Sequence, residues 1–557
     1  MNYGTNFDPN MHNGAPPPQA PPPPGVVPPP YNPVQPGYAA EPPMSVPPPI
    51  VPRRQYGFAQ KLMALAMFFF GYLFMRVFVF EDGSIGRTVF TLLLLLASAG
   101  YMAHTGVKPG AASVLAGILT GVLSLGFAFG LPDGLGLLLT AACALCYTYY
   151  VYKAYDTGIE GFPGRFLDFD LMRALFAAPF SSFGSVFPAV FSTTGEKNKR
   201  ISKKLGLILL GLLISIIPTA IVVGLLSYDS NFTTLLDQVM GIDLLEGSAW
   251  SHIGAFLLGI PVAMYMYGLW TSCAFAVCRP LTGEHCAEKR KRARVLPQIL
   301  AFAAMTPMLF VYLIFFISQF KYYTAAFTGV LPRGYSYAEY ARSGFFELCA
   351  VIAVNGIMVL LLFLLVRRSG RNGLARLYTA LLSLSTLILA VTAASKMLLY
   401  VDAYGLTLRR VSTLCFILAM ALVFLVLLLQ TVIPKLPVVP VSLTVIFVLF
   451  GGLMLSNTPA WISHYNTTQI LAGADWELDH TYFDQLGDAA VADAVTLEKS
   501  EQVDAQTREA ARNFLNRWER WEKEEAPRLS EYSLNHIRAE QAIKNREPFR
   551  GVSLRTE

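Results

Sequence analysis

Few polar residues in this chain could do chemistry, and the most suggestive stand near the ends of long apolar runs. Glu347 lies about three residues inside one run, roughly 5 Å deep at 1.5 Å rise per residue, and Lys396 about four residues inside the next, roughly 6 Å deep. Opposite charges at matched depth in hydrocarbon are costly unless paired, so the spacing predicts that they share a polar network. Ser385, Thr392 and Lys396 fall on one helix face, and Asn355, roughly 16 Å down its own helix, would carry the seam toward the membrane midplane. Glu339, Arg342, Asp402 and Arg409 flank these runs and complete the candidate network. Such a seam suits a ligand or ion, or an acid or base among Glu339, Glu347 and Asp402. The plainer alternative has Lys396 snorkelling to the headgroups while Glu347 meets water.

Other constellations are weaker. Cys143-Ala-Leu-Cys146 has a redox or metal spacing but lies within an apolar helix that offers no clustered His or carboxylate. His285-Cys286 between Glu284 and Glu288 reads as a solvated loop. Gly117/Gly121 and Gly126/Gly130, four apart, let helices approach closely, a packing role. No phosphate-binding loop, dinucleotide fingerprint or His-Glu-x-x-His pattern occurs. No catalytic, cofactor-binding or metal residue is therefore assigned, and no cofactor is expected.

The elements that must position these residues are about eleven apolar stretches, each long enough to cross a bilayer as a helix. They run roughly 58–80, 88–103, 111–130, 134–153, 205–227, 249–278, 296–320, 344–366, 377–400, 409–430 and 438–455. A hydrophobic content of 54% with 14% charged residues and a mean hydropathy of +0.46 excludes an ordinary soluble protein. The fold class is all-α, a polytopic transmembrane bundle. Residues 1–55 form a proline-rich tail expected to be disordered, 56–456 the transmembrane domain, and 457–557 a helical, extracytoplasmic C-terminal region. Within the last, Asp484 to Leu497 carries Leu486, Ala490 and Val495 at helical spacing. Thr507 to Glu525 carries Ala511, Phe514, Leu515, Trp518 and Trp521. The Phe-rich segment 158–195 is too polar and too broken to span, and is expected to lie in the interface in preference to re-entering the membrane.

Alternate connections differ sharply in charge. One set, which includes Lys289 to Arg294, holds about twenty basic residues against about six in the other, and cationic loops stay cytoplasmic. The chain is thus expected to be N-in and C-out. The +6 net charge is spread over short loops and argues against nucleic acid. Expected partners are membrane lipids, an envelope protein on residues 457–557, and a cytoplasmic partner on the proline-rich tail.

Two polar strings carry a resemblance. Tyr337-Ala-Glu339-Tyr340-Ala-Arg342, one further residue, then Gly344-Phe-Phe-Glu347 is the first; Asp402-Ala-Tyr404-Gly-Leu-Thr407 followed by Arg409 is the second. With Tyr465-Asn466 and Tyr532-Ser-Leu-Asn535-His-Ile-Arg538-Ala539, they resemble the signature segments of an uncharacterised bacterial multi-pass membrane family, a domain of unknown function. The resemblance covers roughly 200–545, departs after Asn466 at Thr467-Thr468-Gln469, and implies a bacterial cytoplasmic-membrane protein without supplying an activity. A non-enzymatic envelope protein that senses, scaffolds or couples partners is favoured. A transporter or lipid translocator comes next, and a membrane enzyme acting on lipid or cell-wall precursors third.

Overall fold

The computed structural model describes residues 56–80, 84–159, 164, 166–190, 248–278, 281–328, 345–367, 373–474, 476, 478, 480–524 and 532–546, with the isolated positions 211, 215, 222 and 226. Ten helices among these residues are long and apolar enough to cross a membrane. They coincide with ten of the eleven expected stretches; the other, 205–227, lies outside the described residues, as do the proline-rich tail and the loop 228–247.

The first group comprises α1 (Phe58–Phe80), α2 (Ser84–His104), α3 (Ala111–Phe129), α4 (Asp133–Ala154) and α5 (Ser248–Ala274). Its core holds Met67, Phe70, Phe90, Met102, Tyr152, Met264 and Trp270. The α1–α5 contact is the closest: a methyl group on Gly71 would fall 2.3 Å from the Gly259 carbonyl oxygen, so the two backbones touch and only glycine fits. Gly117 and Gly126 are packing positions too, against Tyr150 and against Leu139 with Met454. The segment 167–190 is a chain of short helices along α5, its Tyr265 hydroxyl donating to the Leu175 carbonyl at 2.8 Å. Inward it buries Leu167, Ala174, Ala178, Val186 and Phe187, while Met172, Phe176 and Phe180 stay exposed.

After α6 (Gly283–Ala293), the second group comprises α7 (Gln298–Thr328), α8 (Phe345–Leu365), α9 (Gly373–Tyr404), α10 (Leu408–Val432) and α11 (Val438–Leu455). α6 holds the basic run as a capped helix. Thr282 accepts from the His285 amide, Glu284 sits in the first turn, and Arg290, Lys291 and Arg292 sit in the last, where each sign suits the helix dipole. Cys286 is buried under it while Glu284, His285 and Glu288 are exposed, so that quartet does not converge. Cys143 and Cys146 join Leu123, Phe127, Leu139 and Met454 in a small apolar core that links α3 and α4 to α11. Outward, rows such as Phe310, Ile314 and Ile317 are exposed, as a lipid-facing surface requires.

The basic segments gather at one end of the helices. Lys153 pairs with Asp170 at 3.0 Å, and Arg290 grips both Asp168 oxygens at 2.8 Å while lying over Phe166. A pocket lined by Phe166, Arg290, Arg294, Pro434 and Lys435 shows three connections meeting there.

Beyond α11 the chain turns at Asn457, in the left-handed conformation at φ +48°, into α12 (Thr458–Leu471). Then come α13 (His480–Leu486), α14 (Val491–Lys499), α15 (Ala505–Glu524) and α16 (Leu534–Lys544). α15 buries Thr507, Ala511, Phe514, Leu515 and Trp518, an i, i+4, i+7, i+8, i+11 stripe. Each of the large apolar members contributes about 1.5–3 kcal/mol. Trp521, at i+14 on the edge of the same face, is 42% exposed. Ile462, Phe483 and Leu515 share one core with Met305, Ile352, Leu382 and Ile417 of the second group, so these helices dock on the spans without a break.

Candidate functional site where the C-terminal helices meet the spans

The string Asp402 to Thr407 makes the turn from α9 to α10. Gly405 sits at φ +72°, and a methyl group there would meet Asn466 Oδ1 at 2.9 Å and Trp476 at 3.0 Å. Asn466 on α12 treats Leu406 as a strand would: its Oδ1 accepts from the Leu406 N–H at 2.7 Å and its Nδ2 donates to the Leu406 carbonyl at 2.8 Å. Nδ2 also donates to the Tyr482 hydroxyl at 3.2 Å. Trp476 Nε1 donates to the Asp402 carbonyl at 3.2 Å, and Thr407 caps α10 by accepting from the Arg410 amide. The guanidinium that holds the turn belongs to Arg410, which donates to the Tyr404 and Gly405 carbonyls and lies 4.1 Å over the Tyr400 ring. Asp402 and Arg409, expected in a polar network, are both exposed. The string is a docking joint made from backbone carbonyls and a fitted glycine.

Asn355 is fully buried between α7 and α9. It accepts from the Tyr312 hydroxyl at 2.6 Å and donates to Thr386 Oγ1 at 2.9 Å. Thr386 is one residue round from Ser385, so Asn355 bonds beside the row Ser385, Thr392 and Lys396, and Thr392 returns its hydroxyl to the Ile388 carbonyl. Glu347 is exposed near the start of α8, Lys396 is half-buried, and the two lie within electrostatic reach of each other. Glu339 and Arg342 lie outside the described residues, as does their string apart from Phe345 to Glu347; Phe345 is 2% exposed and packs in the core. One turn from Asn355 toward the basic end, a pocket of about 370 Å³ opens between α7, α8, α9 and α10, with Arg367 and Arg376 in its lining.

A second junction reaches the first group of spans. The Asn535 and Asn457 amides bond reciprocally at 2.8 and 2.9 Å, and Asn535 Nδ2 also donates to the Phe129 carbonyl at 2.7 Å. The Tyr532 carbonyl accepts from the Ile85 amide at 3.1 Å. Ser533 caps α16 by accepting from the His536 amide at 2.9 Å.

That cap seats His536, 2% exposed, in a ring of carboxylates and aromatics. Nδ1 meets Asp488 Oδ2 at 3.1 Å, and the other Asp488 oxygen accepts from Trp518 Nε1 at 2.8 Å. On the far side of the ring, Nε2 lies 3.3 Å from Glu522 Oε2 and 3.7 Å from Glu540 Oε1. Trp518, Trp521 and Tyr532 wall the imidazole, and Tyr532 Oη donates to Glu540 at 3.3 Å. Burial pushes the His536 pKa down, but Asp488, Glu522 and Glu540 more than offset it, leaving it raised above 6.5. Burial raises the Glu522 carboxyl, with Glu540 and Asp488 adding to it against His536. His536, Asp488 and Trp521 line a pocket of about 590 Å³ whose other wall comes from Phe80, Arg87 and Leu131 of the spans.

Among the described residues, Glu522, His536 and Glu540 are the group whose His and carboxylate atoms converge within 4.8 Å. The sequence does not announce it because Glu522 stands on α15 and the other two on α16; the available signal is the pair His536 and Glu540, four apart on one helix face.

A sequence model of the family described as Domain of unknown function (DUF4153) matches residues 114–497. The match thus runs from α3 to α14, taking in the first joint and ending before Asn535. No curated protein and no solved structure matches the chain.

Proposed function

We propose that this chain, which belongs to the family described as Domain of unknown function (DUF4153), is a non-enzymatic coupling protein of a bacterial cytoplasmic membrane. In this reading the C-terminal helices form its extracytoplasmic receiver and the basic connections face the cytoplasm. The observation that carries the reading is the double junction: Asn466 ties these helices to the second group of spans and Asn535 ties them to the first. Residues of the shared strings serve attachment, so a change in the C-terminal helices is felt by both groups at once.

A double-mutant cycle tests this. Asn466→Ala and Asn535→Ala are made singly and together, and unfolding of the full chain is followed in detergent. Coupling through the C-terminal helices gives an interaction energy of about 0.5–3 kcal/mol, whereas additivity within about 0.5 kcal/mol would reduce these helices to a passive appendage. The orientation has its own check. A reporter active only outside the cytoplasm should work when fused after Glu557 and stay silent within 284–294; the reverse pattern removes the receiver role.

The transporter or translocator reading retains one supporting observation, the 370 Å³ pocket with arginines toward the basic end and Asn355 a turn deeper. Flux of anionic lipid in reconstituted vesicles, lost on Asn355→Leu, would favour it over coupling.

A further inference from the structure

The His536 ring is oriented as a metal ligand is oriented. Its Nδ1 faces a carboxylate, Asp488, that is itself held by Trp518. With the proton on Nδ1, the Nε2 lone pair points away from Asp488 toward Glu522 and Glu540. Neither Nε2 nor Glu522 Oε2, both buried atoms, makes a hydrogen bond. They stand 3.3 Å apart, and Glu540 Oε1 is 3.7 Å from Nε2. Ligands bound at about 2.0–2.1 Å to a tetrahedral ion are roughly 3.4 Å from one another; the two spacings from Nε2 are close to that, and the three ligand atoms all lie within 4.8 Å of one another. Charge argues the same way. Asp488, Glu522 and Glu540 surround one imidazole, which even when protonated answers only one of their charges; Lys544, at 3.7 Å from the outer Glu540 oxygen, is largely exposed.

We propose that His536 Nε2, Glu522 and Glu540 bind a divalent transition ion of the zinc class, with Asp488 and Tyr532 as the groups that orient its ligands. One nitrogen and two carboxylate oxygens suit zinc or cobalt better than calcium, which takes six to eight oxygens. Three protein ligands leave a fourth position for water or a partner's donor group. The adjoining 590 Å³ pocket borders the imidazole beside Asp488 and Trp521. The assignment deepens the coupling reading and rests on it only for what occupancy does: an ion clipping α15 to α16 would stiffen the helix that carries Asn535.

The test uses the full chain purified in detergent, stripped with chelator and titrated with zinc or cobalt alone. About one equivalent should bind, and cobalt should give the intense visible bands of a tetrahedral site. The double variant Glu522→Gln/Glu540→Gln should lose the bands, and Asp488→Asn should weaken binding 10–100-fold at unchanged stoichiometry. Glu509→Gln, exposed on the same helix, is the control. His536→Gln guards against misfolding: it should unfold like the stripped wild type yet bind no ion. Binding no tighter in wild type than in the double variant, or cobalt bands that survive it, overturns the proposal and leaves an imidazole among carboxylates. That failure would leave the Asn466/Asn535 cycle untouched, while an additive cycle with intact metal binding would remove the coupling reading alone.

Discussion

Replacing Asn466 by alanine removes one side chain and strands two backbone groups. In the native protein the Leu406 N–H and C=O are both satisfied by that amide, at 2.7 and 2.8 Å, in a place where Asn466 is 1% exposed. A buried polar group left unsatisfied costs about 1–3 kcal/mol, so two cost about 2–6 kcal/mol together. Water entering the gap left by the amide would recover part, which puts the expected loss near 3 kcal/mol, or about a hundredfold in the local opening equilibrium. Hydrogen exchange of the full chain in detergent reads this directly. Peptides covering 402–412 should exchange about a hundredfold faster in Asn466→Ala. Asn466→Asp should be no milder: one oxygen still accepts from Leu406 N–H, but the other faces the Leu406 carbonyl without a proton to donate. Thr468→Ala, whose hydroxyl only returns to the His464 carbonyl on an exposed face, is the control. A 402–412 exchange rate within threefold of wild type in Asn466→Ala would refute the reasoning.

Other perturbations are expected to act as follows. Gly405→Ala meets a left-handed backbone and two neighbours at 2.9 and 3.0 Å, and should lower stability by about 1–3 kcal/mol in the same exchange assay. Asn355→Leu removes the partner of the Tyr312 hydroxyl and of Thr386, and should cost about 0.6–2 kcal/mol in detergent unfolding, the range for hydrogen bonds between spans. Arg546→Ala breaks the fork onto Glu498 and the contact to Glu519, and should free the end of the C-terminal helices to protease at a cost of about 2–3 kcal/mol. Asp504 accepts from the Thr507 amide at 2.7 Å at the start of α15, and Asp504→Ala should cost about 1 kcal/mol. Burial works against the Asp504 anion, but its amide bonds prevail and hold its pKa below 3.8. The stabilisation is therefore present above the unfolded pKa and disappears as pH falls through the folded one, so wild type and variant should converge in acid melts.

The spans were legible because hydrocarbon demands long uninterrupted apolar runs, and that signal is local to each run. So was the α15 stripe, since Ala511, Phe514, Leu515 and Trp518 declare their face by spacing alone. The joints were not. Asp402 and Arg409 attracted notice for their charge, whereas the working groups are the carbonyl of Asp402, a fitted glycine and the neighbouring Arg410, all meaningful only once Asn466 arrives from sixty residues away. α12 and α16 also escaped notice. The first buries Thr458, Ser463, Asn466 and Thr467 beside Ile462 and Ile470, and the second Asn535 and His536 beside Ala539, so their inner faces are mostly polar and their apolar period is weak. His536 was invisible for the same reason, since its partners are dispersed over α15, α16 and the turn before α14.

The two joints have one material property in common. Asn466 against Leu406 and Asn535 against Asn457 are amides meeting amides or backbone, and none of these groups can gain or lose a proton between acid and alkali. Contacts such as Arg517 with Asp484, by contrast, hold the C-terminal helices to one another through charge, at half-exposed positions that ions in the medium can reach. Brine therefore slackens the fittings inside the attached part while its mountings keep their grip: the assembly is built to loosen without coming off.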